Sequence, residues 1–121
     1  MQEGRLTSFL CYRGMVRKRK RPVRTTTVEE HRLKGNRKGA LLRVQTGIED
    51  GEVVAYSLAY INPKRCSVDN GRVLGYDNRH GYHHRHFMGQ VGAIEFSTYK
   101  NLARRFFKEV YELWRDEDEE K

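Results

Sequence analysis

From residue 40 onward, apolar and polar positions alternate. Ala40, Leu42, Val44, Thr46 and Ile48 are separated by Arg43, Gln45 and Gly47, with Leu41 the one break. A period of two puts successive side chains on opposite faces, so this stretch predicts a half-buried strand. Glu49-Asp50-Gly51 follows, and Asp-Gly between strand-like runs predicts a hairpin because glycine tolerates the positive φ of such turns. Glu52 to Ile61 is β-branched and aromatic on both faces, the pattern of a central strand. Asn62-Pro63 ends it, since proline cannot donate to a ladder. Asp69-Asn70-Gly71 predicts another tight turn, and Arg72 to Asp77 the next strand. The result is an antiparallel meander.

The period then changes. Tyr99, Leu102, Ala103, Phe106, Phe107, Val110, Leu113 and Trp114 recur at helical spacing, with Lys100, Arg104, Arg105, Lys108 and Glu112 on the other side. This predicts an amphipathic helix, with Ser97 or Thr98 as N-cap and the aromatic stripe as its core-facing side. Residues 5–12 and 23–33 carry only a weak strand pattern. The expected fold class is α+β: an antiparallel β-sheet packed against a C-terminal amphipathic α-helix.

Length and composition narrow the possibilities. A chain of 121 residues makes one small domain, without room for separate cofactor and catalytic domains. No apolar run approaches the roughly 18 residues of a membrane span, and Phe9-Leu10-Cys11-Tyr12 is too short for a signal peptide's apolar region, so a cytoplasmic protein is expected. Cys11 and Cys66 form no C-x-x-C pair and are expected as free thiols. The net charge is +8, unevenly spread: residues 13–43 hold twelve Lys/Arg against Glu29 and Glu30, whereas residues 109–121 hold seven acids against two bases. Residues 1–36 are therefore expected to form a basic arm, partly ordered at most, residues 37–115 the α+β domain, and residues 116–121 a solvated acidic tail. Arg17, Lys18, Arg19, Lys20, Arg21 and Arg24 are the expected nucleic-acid-binding residues, because cations docked on phosphates release condensed counterions.

The candidate chemistry lies in residues 76–87, Tyr-Asp-Asn-Arg-His-Gly-Tyr-His-His-Arg-His-Phe. Histidine exchanges protons at cellular pH, arginine grips phosphate and stabilises charge developing on it, and a carboxylate can fix an imidazole tautomer. An RNA substrate brings its own nucleophile, the 2′-OH. If residues 82–87 are extended, Tyr82, His84 and His86 share one face and His83, Arg85 and Phe87 the other. His84 and His86 are the expected proton-transfer residues, Asp77 the carboxylate that orients one of them, and Arg79 or Arg85 the group that stabilises the phosphorane. Tyr82 can stack on a base. No cofactor is required. Two alternatives stay open: metal binding by His80, His83, His84 and His86, and a non-catalytic phosphate-gripping or regulatory protein.

Arg72-Val73-Leu74-Gly75-Tyr76-Asp77-Asn78, then His83-His84-Arg85-His86, Phe96 and a final amphipathic helix resemble the TumE-like toxins of prokaryotic toxin–antitoxin modules, over roughly residues 39–115. The shared pattern is a strand ending in Tyr-Asp-Asn, a short loop and a His-x-His motif. Tyr76, Asp77, Asn78, His84 and His86 are the matching positions. The resemblance implies a toxin held inactive by a cognate antitoxin, often one with a DNA-binding helix-turn-helix, and an activity directed at RNA. No membrane partner is expected.

Overall fold

The computed structural model describes residues 23–120. Six strands, β1 (Thr25–Arg32), β2 (Leu41–Glu49), β3 (Glu52–Ile61), β4 (Arg72–Asp77), β5 (His84–Phe87) and β6 (Gln90–Ala93), precede one long helix, α1 (Tyr99–Glu119). The strands pair in chain order, each antiparallel to the next, as one sheet. The α+β meander with a C-terminal helix is thus the observed architecture. β1 occupies part of the stretch expected as a basic arm, and it pairs with β2 from Thr25↔Ile48 to Arg32↔Leu41. All of its residues are exposed, which explains the weak pattern: a strand with neither face covered by the described residues has no reason to alternate. The strand considered for residues 5–12, Cys11, and Arg17 to Arg21 lie outside the described residues.

Two-residue turns close two of the hairpins. Asp50 and Gly51 adopt φ of 52° and 78° between the paired Glu49 and Glu52, as the Asp-Gly signal predicts. Met88 and Gly89 do the same, at 49° and 87°, between Phe87 and Gln90. Methionine is not a residue that announces such a turn, so β6 has no clear signature in the sequence.

The core lies between the sheet and α1. Tyr56, Leu58 and Tyr60 of β3 and Leu74 and Tyr76 of β4 meet Leu102, Phe106 and Val110 of the helix. Thr98 caps α1, its Oγ1 accepting from Asn101 N at 3.1 Å. Edge-to-face contacts join Tyr76 to Phe106 at 6.2 Å and Tyr60 to Trp114 at 6.0 Å. The buried tyrosine hydroxyls need acceptors, and the helix supplies them: Tyr76 Oη donates to Glu109 at 2.6 Å, and Tyr60 Oη to Glu117 at 3.0 Å. Burial and the Glu109 carboxylate push the Tyr76 hydroxyl up to about 12, so it remains a donor.

The acidic stretch from residue 116 differs from the expected solvated tail. The helix continues through it to Glu119, and Glu117 is buried against Tyr60 while accepting from Arg37 Nε at 3.2 Å. Asp118 accepts from Arg37 Nη2 at 3.1 Å. Only the fold brings residue 37 under the end of α1. Cys66 is buried as a free thiol.

Phe106 has no exposed surface, whereas Tyr111 on the same helix is 63% exposed. Phe106→Ala is therefore expected to destabilise the domain by about 3–5 kcal/mol in urea unfolding. Tyr111→Ala should stay within about 0.5 kcal/mol of the parent. Equal effects would place the core elsewhere.

Candidate functional site

Alternation along the strands gives the sheet a second face, away from α1. Arg43 and Gln45 of β2 stand on it opposite Ala59 and Ser57 of β3, followed by Gly75 and Asp77 of β4 and His84 and His86 of β5. Asp77 pairs with His84 and Gly75 with His86 in the β4–β5 register, which sets the carboxylate beside both imidazoles. His83, Arg85 and Phe87 project the other way, so the predicted division of faces in this segment holds.

The Tyr-Asp-Asn run joins three layers in three consecutive residues. Tyr76 reaches the helix through Glu109. Asp77 faces the histidines. Asn78 docks on β3, its Oδ1 accepting from Tyr56 N at 3.0 Å and its Nδ2 donating to Val54 O at 3.0 Å. An amide side chain that satisfies one donor and one acceptor in this way extends the ladder where the backbone leaves it.

Asp77 is the centre of the site and is 3% exposed. His86 Nε2 lies 3.0 Å from its Oδ2 and His84 Nε2 2.6 Å from its Oδ1. Arg79 N donates to Oδ1 at 3.2 Å, and Arg72 Nη1 is 3.6 Å from Oδ2. His84 Nδ1 donates to the Tyr82 carbonyl at 3.1 Å. Arg72 Nη2 lies 3.1 Å from His86 Nδ1. A guanidinium can only donate, so His86 Nδ1 accepts and the ring proton sits on Nε2, facing Asp77. Burial first, and the Arg72 cation second, hold the His86 imidazole below its ordinary value.

Arg72 is the site residue that sequence reasoning misses. Strict alternation would put it with Leu74 and Tyr76, under the helix. A bulge between Tyr60↔Leu74 and Ile61↔Arg72 leaves Val73 as an extra residue and turns Arg72 onto the open face. Asp69 then holds it with two bonds, to Nε at 2.8 Å and Nη2 at 2.9 Å. Asp69, Asn70 and Gly71 all have positive φ, at 53°, 57° and 82°. The Arg72 side chain crosses directly over Gly75, where a Cβ would come within 2.6 Å of Arg72 Cδ. The signal in the sequence was the glycine: Gly75 inside a buried strand marks a close approach of another group.

The remaining predicted residues divide. Arg79 is exposed on the rim of the same face. Tyr82 is 47% exposed, and its ring lies 4.6 Å from that of His84. Arg85 is not part of the cluster. It pairs with Glu109 at 3.3 Å and lies 5.2 Å from the Phe87 ring, on the helix side. His83 is likewise on that side, stacked on Phe96 at 3.9 Å and 2.8 Å from the Tyr56 hydroxyl. His80 is exposed in the turn at Arg79–Gly81. The four-histidine metal site is therefore not assembled: strand alternation separates His83 from His84 and His86. Asp77, His84 and His86 do offer three potential ligand atoms within 4.8 Å of one another. Arg24, the described member of the expected nucleic-acid-binding set, is half exposed beside Glu49 at 2.9 Å.

No helix among the described residues is long and apolar enough to cross a membrane. No curated protein and no solved structure matches the chain. Residues 15–114 match the family model described as Toxin TumE, which takes in both the Tyr-Asp-Asn strand and the His-x-His strand that build the site. Covering most of the chain, the match shows that it belongs to the TumE toxin family, and so to proteins that act as toxins and are paired with an antitoxin.

Proposed function

We propose that this toxin cleaves RNA without a metal, through His86, His84, Asp77 and Arg72. The observation that carries this reading is the approach of Arg72 to His86 Nδ1, which sets a guanidinium, with donors beyond the two bonds to Asp69, beside the lone pair of a neutral imidazole. A phosphodiester that takes hydrogen bonds from Arg72 releases His86 Nδ1 at the point where a 2′-OH would lie. His86 then accepts the 2′-OH proton as the 2′-oxygen bonds to phosphorus, with Asp77 holding the Nε2 proton and offsetting the new charge. The bond from phosphorus to the 5′-oxygen breaks, and that oxygen takes a proton from a water, which the proton now on His86 Nδ1 replaces. His84, engaged at Nδ1 by the Tyr82 carbonyl and at Nε2 by Asp77, holds the carboxylate in place. The products are a 2′,3′-cyclic phosphate and a 5′-hydroxyl. Arg72 stabilises the charge on the phosphorane, the task the sequence had suggested for Arg79 or Arg85. Tyr82, exposed over His84, is a stacking surface for a base.

A second reading has its own observation. The Asp77, His84 and His86 atoms are close enough to share one divalent ion, and a carbonyl accepting from His84 Nδ1 is the usual outer partner of a ligating histidine. Against it, a proton on His86 Nε2 blocks that nitrogen as a ligand, and the Arg72 cation opposes a metal at the same place.

His86→Asn, which keeps a donor toward Asp77, is expected to reduce cleavage of single-stranded RNA by about 10²–10⁴-fold, with the thermal transition retained. Gly75→Ala should lower the rate with His84 and His86 intact, because the added methyl displaces Arg72. Wild-type protein freed of antitoxin that leaves RNA intact for hours would overturn the enzyme reading. A chelator should leave the rate unchanged. Loss of activity that zinc or manganese restores would establish the metal reading instead.

The depressed His86 also sets a pH dependence. A base held below about 6.5 remains competent at mildly acidic pH, so the acid limb of kcat/KM should lie below about 6.5. The folded chain binds this proton less readily than the unfolded chain. Stability should therefore fall as pH drops from about 6.5 toward the folded value, and this slope should shrink in His86→Asn. An acid limb above 7 would remove His86 as the base.

A further inference from the structure

The open face has more structure than the histidine cluster needs. Next to Arg72 lies a hollow of about 220 Å³ lined by Arg43, Gln45, Ser57, Ala59, Arg72 and Arg79. A second hollow, of about 120 Å³, is lined by Arg24, Gln45, Gly47, Ala55, Ser57 and Arg79. Gln45, Ser57 and Arg79 belong to both, so the two are joined at that border. The floor is the open face of β3, where Ala55, Ser57 and Ala59 are all small. Opposite them stand Gly47, Gln45 and Arg43.

Two glycines interrupt strands on this face, and each lies under an arginine. Gly75 has Arg72 across it, and a Cβ on Gly47 would meet Arg24 Cδ at 3.1 Å. Glycine weakens a strand interior, so its recurrence at both ends of one trough marks two places where a side chain must lie flat. Carboxylates orient three of the four arginines: Glu49 accepts from Arg24 Nε at 2.9 Å, Glu30 from Arg43 Nε at 2.8 Å, and Asp69 binds Arg72. These pairs leave guanidinium donors over, since each group carries five. They also nearly balance the arginine charge, so the trough is suited to directed hydrogen bonding more than to bulk attraction. Gln45 and Ser57 add neutral polar groups midway along the floor.

We infer that this trough is a substrate path: a single strand of RNA lies across β2 and β3, its backbone phosphates held by Arg43 with Arg79 and by Arg24, and enters the cluster at Arg72. The inference rests on the RNA-cleavage reading and adds the residues that hold the strand beyond the cut bond. The forked arginines recognise phosphate oxygens, Gln45 and Ser57 face the sugar or base between them, and the shallow floor fits one strand laid on a sheet. Arg43, Arg79 and Arg24 hold the substrate in place and take no part in proton transfer.

The test measures binding of a 2′-O-methyl oligoribonucleotide, which lacks the attacking hydroxyl, to the full chain by fluorescence anisotropy across a salt series. Arg43→Gln with Arg79→Gln should weaken binding and flatten the slope of log K against log salt by about 0.7 for each phosphate no longer held, or about 1.4 for the pair. Arg104→Gln with Lys108→Gln removes the same charge from exposed positions on the helix and should leave the slope unchanged. A thermal transition within a few degrees of the parent confirms that each variant folds. Wild-type slope and affinity in the Arg43/Arg79 variant, or an equal loss in the helix variant, would overturn the path. If the wild type cleaves RNA and the trough variants still bind normally, the path fails and the cleavage reading stands. If the trough variants lose binding and the wild type does not cleave RNA, the path stands and the cleavage reading fails.

Discussion

A carboxylate that is taken out of water must be compensated on all sides, and Asp77 is such a carboxylate. Left unpaired, a buried charge of this kind costs several kcal/mol. The surrounding structure meets that demand with two imidazoles from β5, a guanidinium from the start of β4 and a backbone N–H from the turn after β4. The β4–β5 register, the bulge that turns Arg72 and the left-handed residues at Asp69 and Asn70 all serve this one neutralisation. The same requirement yields a reactive arrangement, because the groups that balance Asp77 are those able to move protons and grip phosphate.

The division of labour between the two faces of the sheet follows from alternation. One face takes the aromatic core and the helix, and it uses Glu109 and Glu117 to satisfy buried tyrosine hydroxyls. The other has no helix over it among the described residues and carries the arginines, small residues and the Asp77 cluster. Because Tyr76 and Asp77 are neighbours that point in opposite directions, the position of the helix and the position of the catalytic candidate are tied within one dipeptide. A shift of α1 that moved Glu109 would be felt by Tyr76 and, one residue on, at the site.

Membership of the TumE family gives this geometry a biological setting, a toxin paired with an antitoxin. The Tyr-Asp-Asn run acquires a physical account from what each residue touches: one serves the core, one the site, one the neighbouring strand. His-x-His has the spacing it does because only alternate residues of β5 share the face of Asp77. The intervening Arg85 is thereby sent to Glu109 on the helix side, where it supports the same helix contact as Tyr76.

Much of this was determined by local sequence. Period-two and helical patterns reported β2 and α1, since a residue's burial repeats with the geometry of its own element, and β-branched and aromatic composition between turn signals reported β3 and β4. Asp50-Gly51 reported its turn through the φ that glycine permits, and alternation in residues 82–87 placed His84 and His86 on one face. What depends on partners distant in the chain was decided by the tertiary structure alone. The bulge at Val73 reverses the facing of Arg72, a one-residue irregularity that no period reveals. Arg37 and Tyr60 bury Glu117, converting an apparent acidic tail into part of the helix contact. His80 and His83, close in sequence to the cluster, are turned away from it by a tight turn and by strand alternation. β1, exposed on both faces, leaves almost no hydrophobic trace, because its place is set by hydrogen bonds to β2, and backbone hydrogen bonds carry no residue code.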